Sequence, residues 1–157
     1  MIYAQENNLI LRDATLHDIC QIKDKLRPES VQELWAADHM TAEEGLLTSY
    51  LFSEHKFVVA NEEPFALCGI VPETSDTAKV WYLGGMESNK YPLSFLRLSR
   101  DFIKIALSYY PYLFNFVDAR CESTKKWIEY MGGVIKEPAP YGFEQLPFHL
   151  FCFRREE

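Results

Sequence analysis

The chain is poor in the features that mark several broad protein classes. Its 157 residues hold only four cysteines. Cys20, Cys68, Cys121 and Cys152 lie far apart with no CxxC pair, so a disulfide framework is not expected and reduced thiols are. No apolar run approaches the roughly 20 residues that cross a bilayer as a helix. Met1 to Asn8 carries Glu6 and no basic apolar segment, so no secretory signal is expected. There is no repeat, low-complexity tract or linker, which predicts one continuous domain over residues 1–157. Positive charge is also scarce: 16 Lys and Arg against 23 Asp and Glu give a net charge of −7. That excludes nucleic acid as the main partner, because phosphate binding needs a basic footprint.

What is present is apolar and aromatic. At 48% hydrophobic and 15% aromatic residues the chain can bury a sizeable core. Charge is unevenly divided. The first 78 residues hold 14 acidic and 5 basic side chains, and the remaining 79 hold 9 and 11. An anionic small ligand therefore belongs with the second half.

Leu9–Arg12 reads as a short strand. Three patterns of the form Thr/Ser-x-x-Asp/Glu then each precede an apolar helical face: Thr15 with Asp18, Ser30 with Glu33, Thr41 with Glu44. Lys56–Ala60 and Phe65–Val71 predict a hairpin about the turn at 61–64. Lys79–Leu83 is a further strand, ended by Gly84-Gly85. Leu93, Leu96, Arg100, Ile103, Leu107 and Tyr110 follow helical spacing behind Pro92. Tyr112–Val117 is an almost wholly apolar strand, Ser123–Met131 a short helix, and Val134–Lys136 and Phe148–Phe153 the last strands. The order β-α-α-β-β-β-α-β-α-β-β predicts an α/β (α+β) fold, a mixed sheet with helices on both faces.

This order, with its central hairpin, resembles the GCN5-related N-acetyltransferase (GNAT) fold. The phrases Leu26–Ala36, Val117–Gly133 and Pro140–Arg154 are similar to a GNAT-like family encoded by tailed bacteriophages, distantly including an internal virion protein of T7-like phages. The resemblance implies that Lys79–Leu83 and Tyr112–Val117 splay apart to admit acetyl-CoA. It implies contacts to that cofactor from Leu83, Gly84, Gly85, Lys90, Asn115 and Cys121. The loop Gly84–Pro92 lacks the arginine or glutamine and the later glycines of the family's pyrophosphate loop, and Glu87 adds a repulsive charge there. Aligned on Gly132, the family's tyrosine acid becomes Ile128, which holds no transferable proton; Tyr130 faces about 200° away on the helix. Acetyl-CoA is accordingly expected to bind weakly or not at all.

Two side chains qualify as a general base. Glu33 is either a helix cap or the base, and His149 either a pocket histidine or the base. Asn115 is a polar residue inside an apolar strand, so its amide must find partners in the backbone at the splay or in a ligand. Asp118 and Arg120 follow that strand. No metal site assembles: His17 and Cys20 lack further ligands, and His149 and Cys152 point to opposite faces of a strand. Cys121 at a helix start is the one thiol placed for a lowered pKa. Arg97, Arg100 and Lys104 form a basic stripe on one helix.

The reading that follows is a phage-encoded, virion-associated or assembly protein with a degenerate acetyl-CoA site. Its partner is a phage virion or host protein, its location the host cytoplasm during infection or the virion. The alternative is an acetyl-CoA-dependent N-acetyltransferase that modifies a host or phage protein by a non-standard acid and base. A small-ligand sensor is the third.

Overall fold

Eight strands form one sheet in the order β1-β2-β3-β4-β5-β6-β8-β7. In the computed structural model, which describes residues 1–156, they are β1 (Ile2–Glu6), β2 (Leu9–Asp13), β3 (His55–Asn61), β4 (Glu63–Pro72), β5 (Thr77–Gly84), β6 (Tyr112–Asp118), β7 (Val134–Tyr141) and β8 (Leu146–Arg154). The helices are α1 (Leu16–Ile22), α2 (Pro28–Asp38), α3 (Ala42–Phe52), α4 (Pro92–Tyr109) and α5 (Glu122–Tyr130), with a 3₁₀ turn at Met86–Lys90. No helix among the described residues is long and apolar enough to cross a membrane.

Alternation along the strands builds two cores. Leu9, Leu11, Phe57, Val59 and Val80 meet Leu98, Phe102 and Ala106 of α4 on one face, where Ile128 of α5 also packs. Val58, Leu67, Trp81 and Leu83 meet Ile19 and Ile22 of α1 and Leu46 of α3 on the other. Every strand pair is antiparallel except β5 with β6, which α4 joins as a crossover. The expectation that these two strands are parallel neighbours holds.

Two of the three capping patterns form. Thr15 with Asp18 and Thr41 with Glu44 make reciprocal boxes. Ser30 with Glu33 does not. Pro28 fixes its own φ and starts α2 earlier, with Arg27 at the cap, so Ser30 and Glu33 lie inside the helix. Three boundaries also differ from expectation. β1 precedes Leu9, an edge strand too exposed and too polar to show alternation. β7 runs on to Tyr141 through Pro138 and Pro140, which an edge strand tolerates. α5 begins at Glu122 and stops at Tyr130, before the left-handed Gly132.

The tip of the β7–β8 hairpin is fastened to the end of α2. The N–H groups of Phe143 and Glu144 donate to the carbonyls of Ala37 (3.0 Å) and Ala36 (3.1 Å), which the helix leaves unpaired. Gly142 has φ +74°, and a Cβ there would stand 2.6 Å from the backbone of Ala37. Gly142→Ala is expected to cost about 1–3 kcal/mol, through left-handed strain and loss of this clasp, read as a lower denaturant midpoint.

Candidate functional site: a wedge between two parallel strands

The parallel ladder is short. It holds Thr77↔Tyr112, Ala78↔Leu113 and Lys79↔Phe114, after which β5 turns to β4 alone and β6 to β8. The strands part into a wedge. Asn115 stands at its apex, where its Nδ2 donates to the carbonyl of Val80 (2.7 Å) and its Oδ1 accepts from the N–H of Phe116 (2.8 Å). The part-buried amide thus finds backbone partners at the splay, one of the two outcomes its position allowed. At the open end the N–H of Arg27 donates to the carbonyl of Gly84 (3.0 Å). By strand alternation the N–H and C=O of Tyr82 share the side of those two carbonyls and face the gap.

The wedge and the space between it and α2 form a cavity of about 260 Å³ that Thr124, Trp127 and Ile128 of α5 also line. Ser30, Glu33, Leu34 and Ala37 line it at the i, i+3, i+4, i+7 spacing of one helical face. Opposite stand Phe116, Tyr141 and Phe148; the rings of Phe116 and Tyr141 stack at 3.9 Å, and Tyr141 meets Phe148 at 5.2 Å. Glu33 is held by one oxygen. The N–H of Asp118 donates to its Oε1 (2.6 Å), and no protein donor among the described residues reaches Oε2. Burial, partly offset by that hydrogen bond and then reinforced by the Asp118 charge, raises the Glu33 carboxyl to about 7.

Asp118 is fully buried and takes the opposite course. Burial alone raises its carboxyl, yet the Arg120 guanidinium, with Nη2 at 2.6 Å and Nε at 3.0 Å, holds it below the usual carboxylate range. One backbone amide therefore separates a carboxylate fixed as an anion from one poised to exchange a proton near neutrality.

A second cavity, of about 290 Å³, lies on the α4 and α5 side between the 3₁₀ turn, the start of α4 and the start of α5. Tyr82, Thr124 and Trp127 line both cavities. Among the described residues three buried side-chain polar atoms lack a hydrogen-bond partner: Arg27 Nε, Tyr82 Oη and Trp127 Nε1. All three residues line this second cavity. Two of the atoms only donate and the third is a hydroxyl, so together they call for an acceptor-rich group. Burial pushes the Tyr82 phenol above its ordinary value, which keeps its proton in place at neutral pH. Neither Arg27, Tyr82 nor Trp127 stood out in the sequence.

The other expected residues are placed as follows. His149 pairs with Val117 on the α5 face of the sheet, across from Glu33, and its Nδ1 lies 2.7 Å from the carbonyl of Lys136. Leu83 packs into the α1–α3 core. Gly84 and Gly85 answer to packing: a Cβ would meet the Tyr82 hydroxyl at 2.2 Å and the Lys25 carbonyl at 2.8 Å, respectively. Lys90 pairs with Glu87 at 3.1 Å. Cys121 is buried at the start of α5, and burial pushes its thiol up to about 11, opposite to the lowering that a helix start suggested. Ile128 is core, and Tyr130 lies half-exposed beneath Arg100, 4.6 Å from ring centroid to guanidinium. No cluster of three or more metal-ligating side chains occurs among the described residues.

No protein-family profile matches the sequence, and no curated protein matches it. The fold does match solved structures over nearly the whole chain. A GNAT-family acetyltransferase from Bacillus anthracis superposes with a TM-score of 0.74 at 12% identity, covering 100% of both chains. Ard1 from Thermoplasma volcanium gives 0.71 at 10% identity over 96% of this chain and 99% of its own. Spermidine N-acetyltransferase from Vibrio cholerae, solved in complex with CoA and spermine, gives 0.68 at 15% over 94% and 95%. With identities this low, the likeness is one of architecture: the chain has the fold of the GNAT acetyltransferases.

Proposed function

We propose that the chain is an acyl-CoA-dependent N-acyltransferase with Glu33 as its general base. The observation that carries this reading is that Arg27, Tyr82 and Trp127, each with an unpartnered buried donor (Nε, Oη and Nε1), all line one cavity, which shares Tyr82, Thr124 and Trp127 with the wedge cavity. These groups suit the phosphate oxygens of CoA and stand in for the glycine-rich loop that the sequence lacks. The β5 edge from Val80 to Gly84 presents backbone groups to an amide-bearing arm in the wedge. Bound acetyl-CoA supplies a thioester carbonyl as the electrophile.

Glu33 does the acid–base work. Its Oε1 is fixed by the Asp118 N–H, which leaves Oε2 to take a proton from an incoming ammonium. A carboxyl near 7 is half ionised at neutral pH, close to the optimum for a general base. As the N–C bond forms, the thioester C–S bond breaks and its electron pair leaves on sulfur. Glu33 passes the ammonium's first proton to solvent. It then takes the second proton that nitrogen sheds on acylation and returns it through water to the leaving thiolate, so that an amide, a thiol and one released proton are the net products.

A second reading keeps the same fold as a phage particle or assembly protein with a degenerate cofactor site. Glu87 in the loop and Ile128 in place of a tyrosine favour the degenerate site. Calorimetry with acetyl-CoA separates the two. Low-micromolar binding that weakens about 10–100-fold in Arg27→Ala is expected, the range of a lost charge-assisted hydrogen bond. No heat at millimolar ligand, or equal affinity in Arg27→Ala, overturns the transferase reading.

A further inference from the structure

The acceptor side of the wedge has a shape that selects among amines. The α2-face cavity is walled by Glu33 and Leu34 on one side and by the Phe116–Tyr141–Phe148 aromatic surface on the other. One end is bounded by the clasp between the hairpin tip and α2. The hairpin tip takes the carbonyls of Ala36 and Ala37, and Gly142 rests directly on the Ala37 backbone. The clasp is braced from outside, where His39 stacks between Trp35 (4.7 Å) and Phe143 (4.6 Å) and its Nε2 lies 3.1 Å from Glu144.

An extended peptide needs about 3.3 Å of open groove per residue and main-chain partners along it. Main-chain partners are not on offer at this rim, because the N–H groups of Phe143 and Glu144 and the carbonyls of Ala37 and Ala36 already bond to each other. A cavity of about 260 Å³ is also small beside the usual range of about 300–1,000 Å³ for ligand sites. Charge points the same way. The lining carries two carboxylates, Glu33 and Asp38, and one cation, Lys79, whose Nζ is 5.9 Å from the ring of Phe114. Aromatic faces beside a carboxylate attract an ammonium and hold an apolar body.

We propose that the acceptor is a compact ammonium compound with an apolar or aromatic body, seated end-on between α2 and the Tyr141 wall, and not a polypeptide. This rests on the acyl-transfer reading for its chemistry, while the binding itself is measurable without acetyl-CoA. The probes are phenethylammonium and a tetrapeptide amide with a free N-terminus, each titrated calorimetrically into the protein alone at pH 8. Phenethylammonium is expected to bind at least about tenfold more tightly than the peptide. Tyr141→Leu should weaken it about tenfold while Tyr141→Phe retains it. Equal or tighter binding of the peptide overturns the proposal, as does unchanged affinity in Tyr141→Leu. The two readings fail separately. Acetyl-CoA binding together with a preference for the peptide leaves acyl transfer standing and refutes the compact acceptor. Phenethylammonium binding with this Tyr141 dependence, in protein that does not take up acetyl-CoA, does the reverse.

Discussion

Glu33→Gln is expected to lower the rate of amine acylation by about 10²–10⁴-fold while making the protein more stable above pH 7. The rate loss follows from removing the carboxylate in the acceptor cavity that the Asp118 N–H fixes by Oε1 while no protein donor among the described residues reaches Oε2. In the wild type, kcat/KM should rise with pH through a limb near 7, and that limb should vanish in the variant. The stability gain has the opposite origin. A carboxyl raised from 4.5 to about 7 binds its proton more tightly in the folded than in the unfolded chain. Stability therefore falls as pH rises across that window, by up to about 3 kcal/mol, and stays low above it. Glutamine keeps the oxygen that accepts from Asp118 and carries no charge. Thermal unfolding at pH 8 should show the variant more stable, and the difference should close towards pH 4.5. A variant with full activity, or with no gain at pH 8, refutes this placement of the base.

Arg120→Ala is expected to destabilise the protein by about 2–3 kcal/mol at pH 7. Asp118 has no exposed surface, and Arg120 supplies its charged partner through Nε and Nη2. Removing that partner leaves a buried carboxylate uncompensated, which costs about 3–5 kcal/mol in fully buried pairs and less here because Arg120 is itself half-exposed. The pH dependence has the sign opposite to that of Glu33. Asp118 is held below its ordinary value when folded, so its contribution is present above about pH 4 and is lost as pH falls through the folded pKa. Denaturant midpoints of wild type and variant should converge in acid. A constant gap down to pH 3 means that the pair acts through packing alone.

The wedge was expected from the resemblance of the element order to the GNAT fold, while local pattern carried its strands. A near-continuous apolar strand holding one misfit amide, Asn115, predicts a strand inside the sheet and an amide that needs partners, and β6 lies between β5 and β8 with that amide bonded to backbone. Gly84-Gly85 correctly marked the end of β5, though packing against Tyr82 and the Lys25 carbonyl explains both glycines. Ser30 and Glu33 show where local pattern misleads: the same spacing occurs at a cap and inside a helix, and Pro28 decided between them. The raised carboxyl of Glu33 comes first from burial, with the N–H and the charge of Asp118, 85 residues away in the chain, acting on it in opposite senses, so no local window contains it. The same is true of the three unpartnered donors, which come from the α1–α2 link, β5 and α5. His149 looked equivalent to Glu33 by chemistry alone. Strand alternation turns it to the α5 face.

Amine-dependent release of free CoA from acetyl-CoA, followed with a thiol reagent from pH 5 to 9 and checked by the mass of the N-acetyl product, tests acyl transfer most directly. With phenethylamine as acceptor, turnover whose kcat/KM rises through a single ionisation near pH 7 is the expected result. Folded protein that releases no thiol above the uncatalysed rate at any pH, with either phenethylamine or a free-amine peptide, contradicts it.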